Sequence, residues 1–220
     1  MKKILFKYPT RQRFEWFKQT LETYYNSLSE EVPYEFVISC DTDDSSMNSD
    51  EARKFMMNYP NLKFVYGDNK TKIQAVNADM DVCKDWDIVV LVSDDMIPEV
   101  PGFDIQIAED METYFPDNDG ALHYDDGKFG GDRTATLSIM GKKLYERFGY
   151  IYHPDYKSFY CDNEFTEICQ GMGKIQYIDK VVIRHDWRSD GADALYRQNS
   201  QAGKVDEVTY NRRKAAGFPR

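Results

Sequence analysis

The sequence has no apolar run of the ~18 residues that a membrane-spanning helix needs. Histidine is scarce, at three copies, and the four cysteines (Cys40, Cys83, Cys161, Cys169) are scattered without Cys-x-x-Cys spacing. A structural zinc site therefore has no ligand set to draw on. Thiols this dispersed read as reduced, and the expected compartment is the cytoplasm. Positive charge is also short: 28 basic against 38 acidic residues give a formal charge of −10. A broad basic groove for nucleic acid is not indicated. The opening Met1-Lys2-Lys3-Ile4-Leu5-Phe6 is basic then apolar, but Lys7 and Pro9 end the run too early for a signal peptide. With no internal repeat and no evident linker, the expectation is one domain over 1–190 and a charged, helical tail over 191–220.

What is present is a packed-globule composition, 41% apolar and 15% aromatic. Most of its 16 tyrosines and 13 phenylalanines are expected to pack, though such rings also stack on sugars and bases. The first half alternates strand and helix. Lys2–Lys7 reads as a strand, then Phe14, Phe17, Leu21, Tyr24 and Leu28 step by three and four along one helix face, with Thr10 as expected N-cap. Tyr34–Cys40 is a second strand, and Ser49 is set to cap a helix running to about Asn58. Leu62–Tyr66 is a third strand. Ile73, Val76, Met80 and Cys83 mark the next helix, and Ile88–Val92 is an apolar strand of the doubly buried kind. The second half is less regular. It reads as a helix near Ile105–Tyr114, strands at Ala121–Tyr124 and Thr134–Met140, helices at Leu144–Phe148 and Asn163–Cys169, and a strand over Ile175–Arg184. This order predicts an α/β fold whose mainly parallel central sheet is flanked by helices, with a crevice at the carboxyl ends of its strands.

Acidic residues gather at those ends. Asp41 follows the second strand, Asp94 and Asp95 the fourth; Asp162 and Glu164 open a late helix, and His185 follows the last strand. Aspartates after strands commonly cap helices or make turns, and any one of these taken alone carries that meaning. Two adjacent carboxylates buried at a strand end are a different matter, because they repel unless a cation or donor neutralises them. Hard oxygen ligands of this kind suit Mg²⁺ or Mn²⁺.

Several segments resemble, in order, those of family-two-type GT-A glycosyltransferases. Ile4-Leu5-Phe6-Lys7-Tyr8-Pro9-Thr10-Arg11 is similar to their opening strand, and Phe36-Val37-Ile38-Ser39-Cys40-Asp41 to their second. Thr71-Lys72-Ile73-Gln74-Ala75-Val76-Asn77-Ala78 resembles the Gly-Lys-x-x-Ala-x-Asn-Ala helix start. Val90-Leu91-Val92-Ser93-Asp94-Asp95-Met96-Ile97-Pro98 resembles the strand of the Asp-x-Asp metal motif. Tyr160-Cys161-Asp162-Asn163-Glu164-Phe165 resembles the segment holding the catalytic base, and Val182-Ile183-Arg184-His185 the closing strand. The likeness runs over roughly residues 2 to 187. It departs at Thr71, which replaces glycine, at Ser93, where the leading aspartate is missing, and at Cys161, which replaces glutamate.

The resemblance implies a single GT-A, Rossmann-like domain that transfers a sugar from a nucleoside-diphosphate sugar to a hydroxyl-bearing acceptor. UDP is the default carrier. Pro9, Thr10, Arg11, Asp41, Lys72 and Asp94 are then nucleotide-sugar-binding candidates, with Asp94 on the ribose or just behind the metal. Asp95 is the candidate ligand of Mn²⁺ or Mg²⁺, and His185 is a further ligand of the metal or a phosphate contact. Asp162 is the implied general base of an inverting displacement, and Glu164 either orients it or favours its helix N-terminus. Arg133, after Gly130-Gly131-Asp132, is a further phosphate candidate, and Trp187 a lid or a core residue. Two other readings stay open. A nucleotidyltransferase acting on a sugar phosphate also sets aspartates at strand ends, but would carry a Gly-rich loop where Pro9-Thr10-Arg11-Gln12-Arg13 stands. The altered metal motif also allows a domain that binds nucleotide or glycan without catalysis.

Overall fold

The computed structural model describes residues 1–128, 131, 133–186, 195, 197 and 200–219. Its first strand, Ile4–Pro9 (β1), is covered on both faces, because alternate side chains enter two different cores. Ile4, Phe6 and Tyr8 face helix Phe14–Ser27 (α1), which buries Phe14, Phe17, Leu21 and Tyr24 as its periodicity requires. Leu5 faces the opposite layer. Parallel strands Tyr34–Asp41 (β2) and Leu62–Gly67 (β3) extend the sheet on one side, and Ile88–Leu91 (β4) on the other. Between β2 and β3 runs Asp50–Met57 (α2), capped as expected by Ser49, whose hydroxyl accepts the Ala52 N–H at 3.1 Å. Between β3 and β4 stands Lys72–Asn77 (α3).

The remaining elements are Met96–Pro98 (β5), Phe103–Tyr114 (α4), Ala121–Asp125 (β6), Ile139–Gly141 (β7) and Lys142–Phe148 (α5). They are followed by Cys161–Gly171 (α6), Ile175–Val181 (β8), Ile183–His185 (β9) and Gly203–Ala215 (α7). The seven-stranded sheet has the order β3-β2-β1-β4-β7-β6-β8, with β7 antiparallel to both neighbours and the other pairings parallel. Helices α1, α2 and α4 cover one face, and α3, α5 and α6 the other. Gly141 is needed where it stands: a Cβ there would lie 2.3 Å from the Asn118 carbonyl oxygen. No helix among the described residues is long and apolar enough to cross a membrane.

Four local expectations are corrected. Thr10 does not cap α1; Arg13 holds the cap position without a side-chain capping bond, and the Thr10 hydroxyl is used elsewhere. Helix α3 stops at Asn77, because Ala78 is extended and Asp79 is left-handed (φ 61°), although Met80 and Cys83 still enter the core. The strand expected over Thr134–Met140 shrinks to β7: Ala135 and Leu137 are buried, but the Ala135 N–H goes to the Thr166 hydroxyl at 2.9 Å. The final strand divides in two. Its register with β6 slips between Tyr124 and Asp125, the chain bends at Val182, and β9 leaves to pair with β5 in a separate two-stranded sheet.

Candidate active site

Strands β1, β2 and β4 all end at one rim of the sheet, so the loops that follow them meet. Pro9, Thr10, Arg11, Asp41, Lys72, Asp94 and Asp95 line a single cleft of about 310 Å³ there. On one wall Arg11 Nη1 donates to Asp41 Oδ2 at 2.8 Å and to Asp43 Oδ1 at 2.6 Å, while Asn69 Nδ2 donates to Asp41 Oδ1 at 3.0 Å. The turn that presents Arg11 is fixed by Gln12, left-handed at φ 61°, whose N–H reaches buried Asp44 at 2.7 Å.

The two aspartates after β4 have opposite surroundings. Asp94 is buried, accepts the Thr10 hydroxyl at 3.1 Å, and has Arg13 Nη1 at 3.9 Å. Burial raises its carboxyl to about 7, with Asp95 adding to the effect and Arg13 opposing it. Burial acts the same way on Asp95, but there His185, Ser93 and Lys72 outweigh it, and the carboxyl falls well below the usual range. Ser93 Oγ donates to Asp95 Oδ1 at 2.5 Å, and His185 Nε2 lies 3.5 Å from Asp95 Oδ2. Neighbouring carboxylates are thus driven apart, one toward the neutral acid and one firmly ionised.

His185 reaches this point because β9 pairs with β5, which sets Met96 opposite His185. Asp162, the second residue of α6, stands outside the cleft lining but within its field: burial raises its carboxyl, against the pull of Lys72 and His185. Lys72 opens α3, held by the Thr71 hydroxyl, which accepts the Gln74 N–H at 3.2 Å. Glu164 points away from the cleft, buried against Tyr156 and Arg213. Arg213, from the stretch expected to be a charged helical tail, is itself buried. Gly130, Asp132 and Trp187 lie outside the described residues.

Sequence reasoning missed Arg13, Asp43, Asn69 and Ser93 as cleft residues. Asn69 carried a usable signal, since it lies just past the carboxyl end of β3, where the other candidates had been sought. Arg13 had none, because the turn residue Gln12 separates it from the Pro-Thr-Arg segment. Among the described residues no three or more His, Cys, Asp or Glu side chains gather to hold an ion, so an all-protein metal cage is not built from them. The Asp95–His185 pair instead has the chemistry of a cation site with one or two protein ligands, completed by phosphate oxygens.

No protein-family model matches the sequence, and no curated protein matches it. Solved structures do match. The mannosyltransferase PcManGT from Pyrobaculum calidifontis, in complex with GDP-Man and Mn²⁺, is similar over 94% of this chain and 64% of its own, with TM-score 0.67 and 16% identity. TarS of S. aureus, residues 1–349 in complex with UDP-GlcNAc, is similar over 94% of this chain and 66% of its own, with TM-score 0.63 and 16% identity. The chain thus spans about two thirds of the length of these structures. At this identity the likeness is one of fold, and the fold is that of GT-A-like glycosyltransferases.

Proposed function

We propose that the chain is a metal-dependent, inverting glycosyltransferase that moves a sugar from a nucleoside-diphosphate sugar, with UDP as the carrier, to an acceptor hydroxyl. The observation that carries this reading is convergence. Residues as distant in sequence as Arg11, Asp41, Lys72 and Asp95 share one cleft, with His185 on Asp95 and Asp162 in the field of both Lys72 and His185. The fold shared with PcManGT and TarS, whose structures hold GDP-Man with Mn²⁺ and UDP-GlcNAc, supports a nucleotide sugar as ligand.

In this reading Arg11, Asp41 and Asn69 form the wall that receives the nucleoside. Thr10 and Asp94 hold the ribose side, and Lys72 faces the phosphates. Asp95 and His185 hold Mn²⁺ or Mg²⁺, which supplies positive charge where the leaving diphosphate becomes more negative. The lowered carboxyl of Asp95 and the raised carboxyl of Asp94 favour Asp95 as the ligand. Asp162 takes the proton of the acceptor hydroxyl as its oxygen attacks the anomeric carbon. The bond from that carbon to the phosphate oxygen breaks, and configuration inverts in the single displacement. A raised Asp162 carboxyl suits a base, which gains proton affinity as its pKa rises toward the working pH. Four buried, unpaired cysteines fit a reducing compartment such as the cytoplasm.

The test is UDP release from UDP-sugars by the wild-type chain and by Asp162→Asn. The variant is expected to lose ~10²–10⁴ in turnover while UDP with Mn²⁺ still raises its melting temperature. Turnover that survives the substitution removes the base assignment. Pyrophosphate released from a nucleoside triphosphate and a sugar phosphate identifies a nucleotidyltransferase instead.

A further inference from the structure

Helix α7 has no task in the mechanism above, yet its buried polar contacts converge on one segment. Asp206 is fully buried and accepts three backbone N–H groups, from Lys157, Ser158 and Phe159, at 3.0, 2.8 and 2.8 Å. Two turns further on, Arg213 sets its guanidinium on Glu164 through Nε–Oε2 and Nη2–Oε1 bonds, both 2.8 Å. The Tyr156 hydroxyl donates to the same carboxylate at 2.6 Å. Between them Tyr210 lies against Tyr160, ring centroids 5.4 Å apart, and donates to Glu167. Residues 206, 210 and 213 share one helix face by their spacing, so one face of α7 grips residues 157–164 at start, middle and end.

Asp162 sits inside that grip. Two residues before it, Tyr160 has φ 62°, a left-handed conformation that a bulky side chain adopts only when its surroundings impose it. The same segment touches the other side of the cleft, because the Lys157 carbonyl accepts the Ile73 N–H, one residue beyond Lys72. Buried carboxylates and ion pairs add little stability over well-packed apolar groups of the same volume, whereas their directional bonds fix geometry. We infer that α7 is a splint for the turn that carries Asp162, and that Asp206 and Arg213 are positioning residues holding that carboxylate opposite Lys72. The catalytic part of this inference rests on Asp162 being the base; the structural part does not.

The experiment compares the full chain with Asp206→Asn and Arg213→Lys. Amide hydrogen exchange requires no substrate: in either variant residues 157–164 are expected to exchange at least ~10-fold faster, while β1 and β4 keep their protection. With UDP-glucose or UDP-N-acetylglucosamine, Mn²⁺ and water as acceptor, kcat is expected to fall at least ~10-fold with KM unchanged. Arg213→Lys should lose less than Arg213→Met. Unchanged exchange over 157–164, or a rise shared equally by β1 and β4 in both variants, overturns the splint. So does faster local exchange with unchanged kcat. A wild-type chain that neither turns over these donors nor is stabilised by UDP refutes the glycosyltransferase reading, and the exchange result then decides alone whether α7 holds the turn.

Discussion

Lys7 gives a quantitative handle on the floor beneath the cleft. Its ammonium is fully buried in β1 and donates to Ser39 Oγ, which donates in turn to Asp79. Burial lowers its pKa from 10.5 to about 8, with Asp79 and Cys40 opposing the effect. The gap of about 2.5 pH units corresponds to ~3 kcal/mol by which the folded state disfavours the charged form. Below pH ~8 both folded and unfolded chains keep the proton, and the full cost is present. Between ~8 and ~10.5 the folded chain releases its proton while the unfolded chain retains it, so stability rises with pH. Above that range both are neutral and the cost is gone. Lys7→Met removes the charge and keeps most of the volume, leaving Ser39 able to donate to Asp79. The variant is expected to be ~2–3 kcal/mol more stable than wild type at pH 7, and nearly equal to it at pH 10.5. Urea unfolding of both proteins at stepped pH gives the difference directly, and other groups that titrate in this range cancel from it. A difference that stays flat across pH 7–10.5, or a variant less stable than wild type at pH 7, refutes the reasoning.

Three further outcomes follow from the site and the sheet. Asp95→Asn should abolish the extra thermal stabilisation that Mn²⁺ gives to the UDP-bound protein, which at saturating concentrations is about 2–3 kcal/mol, while leaving the effect of UDP alone. Arg11→Met removes the cation shared by Asp41 and Asp43; calorimetry should show UDP binding weakened by roughly tenfold, the scale of one charge-assisted contact. Gly141→Ala forces a Cβ into the Asn118 backbone carbonyl and should lower stability by at least ~1–3 kcal/mol, read as a reduced urea midpoint.

The parallel half of the fold was legible because its signals are local. Doubly buried strands such as Ile88–Leu91 are apolar throughout, α1 repeats its buried positions every three or four residues, and Ser49 sits where a helix must be capped. What the sequence concealed depends on contacts far apart along the chain. The Thr10 hydroxyl is equally suited to a helix N-terminus or to Asp94, and only the closeness of the two loops decides between them. Thr134 and Thr136 are strand formers, but the Ala135 N–H between them goes to Thr166 of α6. The burial of Arg213 could not be read, because Glu164, its partner 49 positions earlier, is invisible to any local pattern. The candidate cleft followed the same division. Carboxylates at strand ends were findable from strand order, whereas the contrast between Asp94 and Asp95 arises from the deeper burial of the first and from His185, which reaches the second from another element.

The two-stranded ribbon of β5 and β9 acts as a ruler for the cleft. Its hydrogen-bond ladder puts Met96 across from His185, and the Asp186 N–H closes on the Asp95 carbonyl at 2.6 Å, so the imidazole meets the carboxylate through backbone alignment. Side chains alternate along a strand, and a frame shift of one residue would turn His185 to the opposite side and bring Arg184 or Asp186 into its place. A one-residue insertion between Val181 and Ile183 would therefore undo the meeting of His185 with Asp95 while leaving every side chain of the cleft the same.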